Sequence, residues 1–133
     1  MRFVDTNIFL RYLTNDDKRK AENTLSLLKR VEEGKEKIAT SPLVIFELIF
    51  TLEKYYKVPR EDIREMTSSI INLNGLTLNY KDIFISALKL FTEKNISFAD
   101  AFNAFYMNSH KIGEIYSYDT DFDKIEKIER FEP

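Results

Sequence analysis

Four acids in this chain have neighbours that are wrong for ordinary surface acids. Asp5 follows the apolar pair Phe3-Val4 and precedes Thr6-Asn7-Ile8. Glu47 stands alone in Val44-Ile45-Phe46-Glu47-Leu48-Ile49-Phe50. Asp100 lies in Ser97-Phe98-Ala99-Asp100-Ala101, and Asp119 closes Ile115-Tyr116-Ser117-Tyr118, with Asp121 and Asp123 at the next alternate positions. Carboxylates gathered around open coordination positions suit hard divalent cations, which want oxygen ligands and keep several waters. Two such ions about 4 Å apart activate water and stabilise the leaving oxygen in phosphodiester cleavage.

Each acid also has a purely structural reading. Asp5 at a strand end is placed as an N-cap for a helix starting near Ile8 as well as for a ligand site beyond the strand. An ionised Glu47 in a helix apolar nearly all round needs a cation, or a basic partner in a buried ion pair. Ser97 and Asp100 have capping-box spacing, and a helix N-terminus keeps a carboxylate ionised in either role. Asp119 and its followers are turn or cap residues when taken singly.

Composition removes the competing chemistries. No cysteine is present, so disulfide frameworks, thiolate metal sites and cysteine nucleophiles are excluded. His110 is the single histidine, and the three glycines (Gly34, Gly75, Gly113) are too scattered for a phosphate-cradling loop. A net charge of −2 argues against coating nucleic acid by bulk electrostatics. The charge is uneven, since residues 114–133 carry seven acids and three bases. That pattern fits a cation-filled acidic cleft flanked by basic surface, and equally an ordinary solvated surface. No apolar run spans a bilayer, no signal peptide is legible, and a cytoplasmic location is expected.

The elements that must position these acids are short strands alternating with longer helices. Strands are expected at residues 2–4, 37–40, 76–78, 115–118 and about 128–131. Helices are expected at about 8–13, then to about 33 with Ala21, Leu25, Leu28 and Val31 on one stripe and Gly34 at its end. Further helices follow at 42–56 behind a Ser41 cap and Pro42, at 60–73 before Gly75, and from an Asn79 cap to 94 with Ile83, Ala87, Leu88 and Phe91 inward. A last helix runs from Ser97 to about 110, with Gly113 as its C-cap. The 133 residues, without linker or repeat, read as one α/β domain with a central parallel sheet of about 4–5 short strands covered by helices on both faces.

The motifs in order resemble a known family. Phe3-Val4-Asp5-Thr6-Asn7-Ile8 resembles the opening of PIN domains. Ser41-Pro42-Leu43-Val44-Ile45-Phe46-Glu47 resembles their helix with one embedded Glu. Phe98-Ala99-Asp100-Ala101-Phe102 resembles the third motif, and Ser117-Tyr118-Asp119-Thr120-Asp121-Phe122 the last, with Ser117 where many members have Thr. Size and the lack of an attached domain look most like the VapC-like toxins of toxin–antitoxin pairs.

The resemblance implies an endoribonuclease with Asp5, Glu47, Asp100 and Asp119 as its acidic quartet. Asp121 would be a further metal ligand, and Thr6, Asn7 and Ser117 supporting residues. It implies Mg²⁺ or Mn²⁺, an RNA substrate, a small antitoxin partner and a homodimer. Arg11, Lys18, Arg19 and Lys20 are candidates for holding RNA, with Tyr12 a stacking surface. Aromatics on the helices suggest an exposed apolar face, with Phe50, Ile63, Met66 and Ile70 as its candidate members. The alternatives are a silent PIN-like binding module, whose mark would be a missing quartet acid, and a housekeeping RNA-processing nuclease of the same fold. A haloacid dehalogenase-type phosphatase fails because Asn7 stands where its second Asp belongs. A Toprim site fails because Glu47 is helical.

Overall fold

Two parallel strand pairs organise the first half of the chain, because each strand is followed by helices that return the chain to the same end of the sheet. The computed structural model describes residues 1–133, which divide into two compact units, Met1–Lys81 and Asp82–Pro133.

In the first unit β1 (Arg2–Phe3), β2 (Ile38–Ala39) and β3 (Leu76–Thr77) form a parallel sheet in the order β1-β2-β3. Two helices, α1 (Thr6–Thr14) and α2 (Lys18–Glu32), connect the first pair. Two more, α3 (Pro42–Lys54) and α4 (Arg60–Ile71), connect the second. The chain restarts between α1 and α2 through Asn15, left-handed at φ 56°, and Asp17, whose side chain accepts from the Lys20 amide. Ser41 caps α3 by accepting from the Val44 amide at 3.2 Å.

The carboxyl end of the sheet is tied by more than its ladder. Val4 N donates to Ala39 O at 2.8 Å and Thr40 N to Thr77 O at 3.0 Å. The buried Thr40 hydroxyl donates to Val4 O at 2.8 Å, so the backbone just before Asp5 is held by a side chain 36 residues away. Phe9, Ile38, Ile45, Leu48 and Leu52 are fully buried beside these strands.

The second unit holds α5 (Lys81–Glu93), α6 (Phe98–Ser109), and a separate parallel pair, β4 (Glu114–Tyr116) with β5 (Glu129–Phe131). A 3-10 helix, Thr120–Lys124, lies between those strands. Phe84, Phe91, Phe98 and Phe102 form an aromatic cluster, with Phe98 5.9 Å from Phe91 and 6.1 Å from Phe84. That cluster anchors the first turn of α6, the turn that carries Asp100.

The α/β class, the five short strands and the six helices match the sequence expectation, while several details differ. The strands are paired three and two, so hydrogen bonding does not join them into one five-stranded sheet. On α2 Thr24 is buried and Leu25 exposed, because the inward stripe runs 21, 24, 28, 31 at helical spacing. α5 starts at Lys81, with Tyr80 at φ 67° where an Asn79 cap was expected. α6 ends at Ser109, and Lys111 at φ 58° takes the left-handed position assigned to Gly113. Gly75 is required for close approach: a Cβ there would meet Glu36 O at 2.6 Å and Val31 O at 2.8 Å.

Candidate metal centre

The site in the second unit is built by two helix starts. Ser97 caps α6, its hydroxyl accepting from the Asp100 amide at 3.1 Å. Asp100 therefore sits in the first turn, where the free amides of the helix favour a negative charge. Asp119 caps the 3-10 helix: its Oδ1 accepts from the Asp121 amide at 2.9 Å, and its own amide donates to Ser117 Oγ at 3.0 Å. Buried Phe122 anchors the same turn. The cap and turn readings of Asp100 and Asp119 are thus realised in backbone geometry, and they leave carboxylate oxygens free to converge.

They do converge. Carboxylate oxygens of Asp100, Asp119 and Asp121 all lie within 4.8 Å of one another. Asp119 is exposed and the other two are half-buried. Burial pushes the Asp100 carboxyl above its ordinary value of 3.8, and a hydrogen bond to Asp119 together with that residue's charge pushes it the same way. The Ser97 hydroxyl beside it pulls weakly in the opposite direction. Lys124 Nζ donates to Asp121 Oδ1 at 2.7 Å. An oxygen-only donor set whose members repel one another and stay open to water suits a hard divalent cation.

Asp123 does not join them. It faces Arg130, which donates to both its oxygens at 3.0 and 3.3 Å. Arg130 also donates to Ser117 O at 3.0 Å, bracing the segment that leads into Asp119. Ser117 thus supports Asp119 through both its hydroxyl and its backbone.

The first unit presents the other two acids. Asp5 is exposed at the N-cap position of α1, yet its side chain makes no capping bond, so the carboxylate is not consumed by the helix. Thr6 is buried beside it and Asn7 is exposed. Glu47 is exposed, which corrects the expectation of a buried charge. Leu43, Glu47 and Phe50 share the outward stripe of α3, and the buried stripe is Val44, Ile45, Leu48, Ile49 and Leu52. The helix is apolar nearly all round because it also exposes apolar side chains, and sequence periodicity alone cannot separate that from burial. Lys18, Arg19 and Lys20 are exposed at the start of α2, whereas Arg11 and Tyr12 are half-buried on α1.

Sequence reasoning missed Thr40 and Arg130. A threonine ending the second strand carried no signal of its own. Arg130 was legible only as one base among the many acids of the tail.

The profile of the PIN domain family matches residues 2–128. The chain belongs to the PIN-domain family. A curated relative, a VapC ribonuclease of Aquifex aeolicus (strain VF5), is 28% identical over 125 residues, covering 94% of this chain and 92% of that one. Among solved structures, that of Mycobacterium tuberculosis VapC20, titled a Sarcin-Ricin loop cleaving toxin, covers 93% of this chain and 94% of its own at 20% identity and a TM-score of 0.41. Within this PIN domain the three clustered acids come from the third and fourth of the motif segments, and Asp5 and Glu47 from the first and second. No helix is long and apolar enough to cross a membrane.

Proposed function

We propose that this PIN domain is a metal-dependent endoribonuclease, the toxin of a toxin–antitoxin pair, using Mg²⁺ or Mn²⁺. The observation that carries the reading is the convergence of Asp100, Asp119 and Asp121 in a chain with no competing nucleophile or histidine pair. Those three would hold the cation, and the family's motif order assigns Asp5 and Glu47 to the same catalytic set. A divalent cation there supplies Lewis acidity toward a phosphodiester and an activated water. The chain's own groups prepare the site. Ser97 and the α6 amides fix Asp100; Ser117, braced by Arg130, fixes Asp119. Asp5, in the first motif segment, is exposed and makes no side-chain capping bond.

RNA is the substrate favoured by the basic start of α2. Lys18, Arg19 and Lys20 occupy a helix N-terminus, where cations oppose the helix dipole. Local helix energetics do not favour three bases there, and a polyanion would. Similarity to a VapC ribonuclease supports the same substrate and a small antitoxin partner.

The homodimer reading retains Phe50 of the expected face and loses its α4 members. Ile63 and Ile70 are fully buried and Met66 is half-buried, so of the anticipated face only Phe50 is exposed. Along and just beyond α3, Leu43, Phe50 and Tyr55 are exposed. Phe50 and Tyr55, at the C-terminal end of α3 past Glu47, are the surface we assign to a second copy.

The test is cleavage of single-stranded RNA by the purified chain. Cleavage should need added Mg²⁺ or Mn²⁺ and stop with EDTA. Undiminished cleavage in EDTA contradicts the reading.

A further inference from the structure

Lys124 forms an ion pair with the acidic cluster through Asp121, and its surroundings are specific. Its Nζ donates to Asp121 Oδ1 at 2.7 Å and to Asn95 O at 3.3 Å. In return Lys94 Nζ donates to Lys124 O at 2.6 Å. This reciprocal strap ties the loop after α5 to the 3-10 helix, so the ammonium is anchored at both ends of its reach. The pair is half-exposed, at 46% for the Lys124 side chain and 34% for Asp121.

From this geometry we infer that Lys124 is a built-in counter-ion: it occupies Asp121 in the metal-free protein and sets how strongly a divalent cation binds the cluster. The inference rests on the reading that the cluster holds such a cation. Without Lys124, three carboxylates repel one another within 4.8 Å and only Asp100 and Asp119 have a bond to relieve them. With it, Asp121 is neutralised, at the expense of a positive charge beside any incoming cation. Lys124 therefore stabilises the empty site and weakens cation binding. It is a positioning residue for Asp121, acting on the metal through that carboxylate.

Mn²⁺ titration calorimetry on the full chain tests this, with metal-free melting temperature as the second readout. Lys124→Met keeps the aliphatic stem without the charge, and Lys124→Gln keeps a donor for Asn95 without the charge. Both should bind Mn²⁺ roughly three- to tenfold more tightly, the scale of one screened charge at a half-exposed site. Both should melt at a lower temperature without metal. Lys124→Arg keeps the charge and should match the wild type in both readouts. Neutral variants that bind Mn²⁺ equally or more weakly overturn the inference, as does an arginine variant that behaves like them. Mn²⁺ binding by the wild type with no dependence on residue 124 overturns the inference alone. No Mn²⁺ binding by the wild type overturns it together with the metal reading.

Discussion

At the residue scale, the cluster places like charges close together, and the pH dependence follows from Asp100. Its folded-state carboxyl is raised above 3.8, so between that value and the raised one the folded protein binds more protons than the unfolded chain. Stability of the metal-free protein therefore falls as pH rises through the raised value, and is recovered as pH drops toward 3.8. Asp100→Asn removes that dependence. Its metal-free melting temperature at neutral pH should equal or exceed that of the wild type, and the advantage should shrink on acidification. A clear loss of stability at neutral pH would show that Asp100 acts mainly as a structural group. Asp5→Asn should likewise melt no lower than the wild type, because Asp5 contributes no side-chain cap and Asn is an equally good N-cap residue.

The site was legible from residues to a specific degree. Asp100 and Asp119 were singled out because they fall in motif segments that occur in order along the chain, and the structure brings them together with Asp121. Asp123 looked the same on paper, and only the folded position of Arg130 removes it from the group. The inference of burial for Glu47 failed because an apolar helix in a small domain exposes part of its apolar surface.

At the scale of elements, turns and close approaches decide stability. Gly75→Ala places a Cβ against two backbone oxygens at 2.6 and 2.8 Å, and neither can yield without moving α2 or the loop before β2. It should lower the melting temperature far more than Gly34→Ala, where the space is open and only the left-handed φ of 76° is strained, about 1 kcal/mol. Equal effects in thermal denaturation would contradict the close packing at Gly75. Thr67 on α4 is buried with a hydroxyl that has no hydrogen-bond partner. Thr67→Val replaces it by an isosteric methyl and should be neutral or stabilising by up to about 1 kcal/mol, read by urea denaturation. Helix positions were readable from periodicity and from Ser41-Pro42 and Ser97. The start of α5 and the end of α6 were not, because Tyr80 and Lys111 adopt positive φ without the glycine or asparagine that would announce it.

At the scale of the whole molecule, the PIN family match spans residues 2–128 and takes in all four motif segments. The exposed Phe50 and Tyr55 predict self-association. Light scattering at micromolar concentration should give about twice the 15.8 kDa chain mass, and Phe50→Glu should shift it toward one chain. A mass of one chain at all concentrations rules the dimer out. The parallel strand class was readable from alternation of short strands and helices, whereas the split into three- and two-stranded ladders was not. Two- and three-residue strands carry no sequence signal for which neighbour they bond.

The central claim is that these carboxylates hold the cation that cleaves RNA, and Asp119→Asn examines it most directly. The substitution removes one charge from the middle of the cluster and leaves an amide oxygen that still accepts from the Asp121 amide. Mn²⁺ affinity and single-turnover cleavage of a single-stranded RNA are measured on the same folded preparation. The account predicts that both fall together, by tenfold or more, with the fold retained. A variant that binds Mn²⁺ and cuts RNA as the wild type does would contradict it.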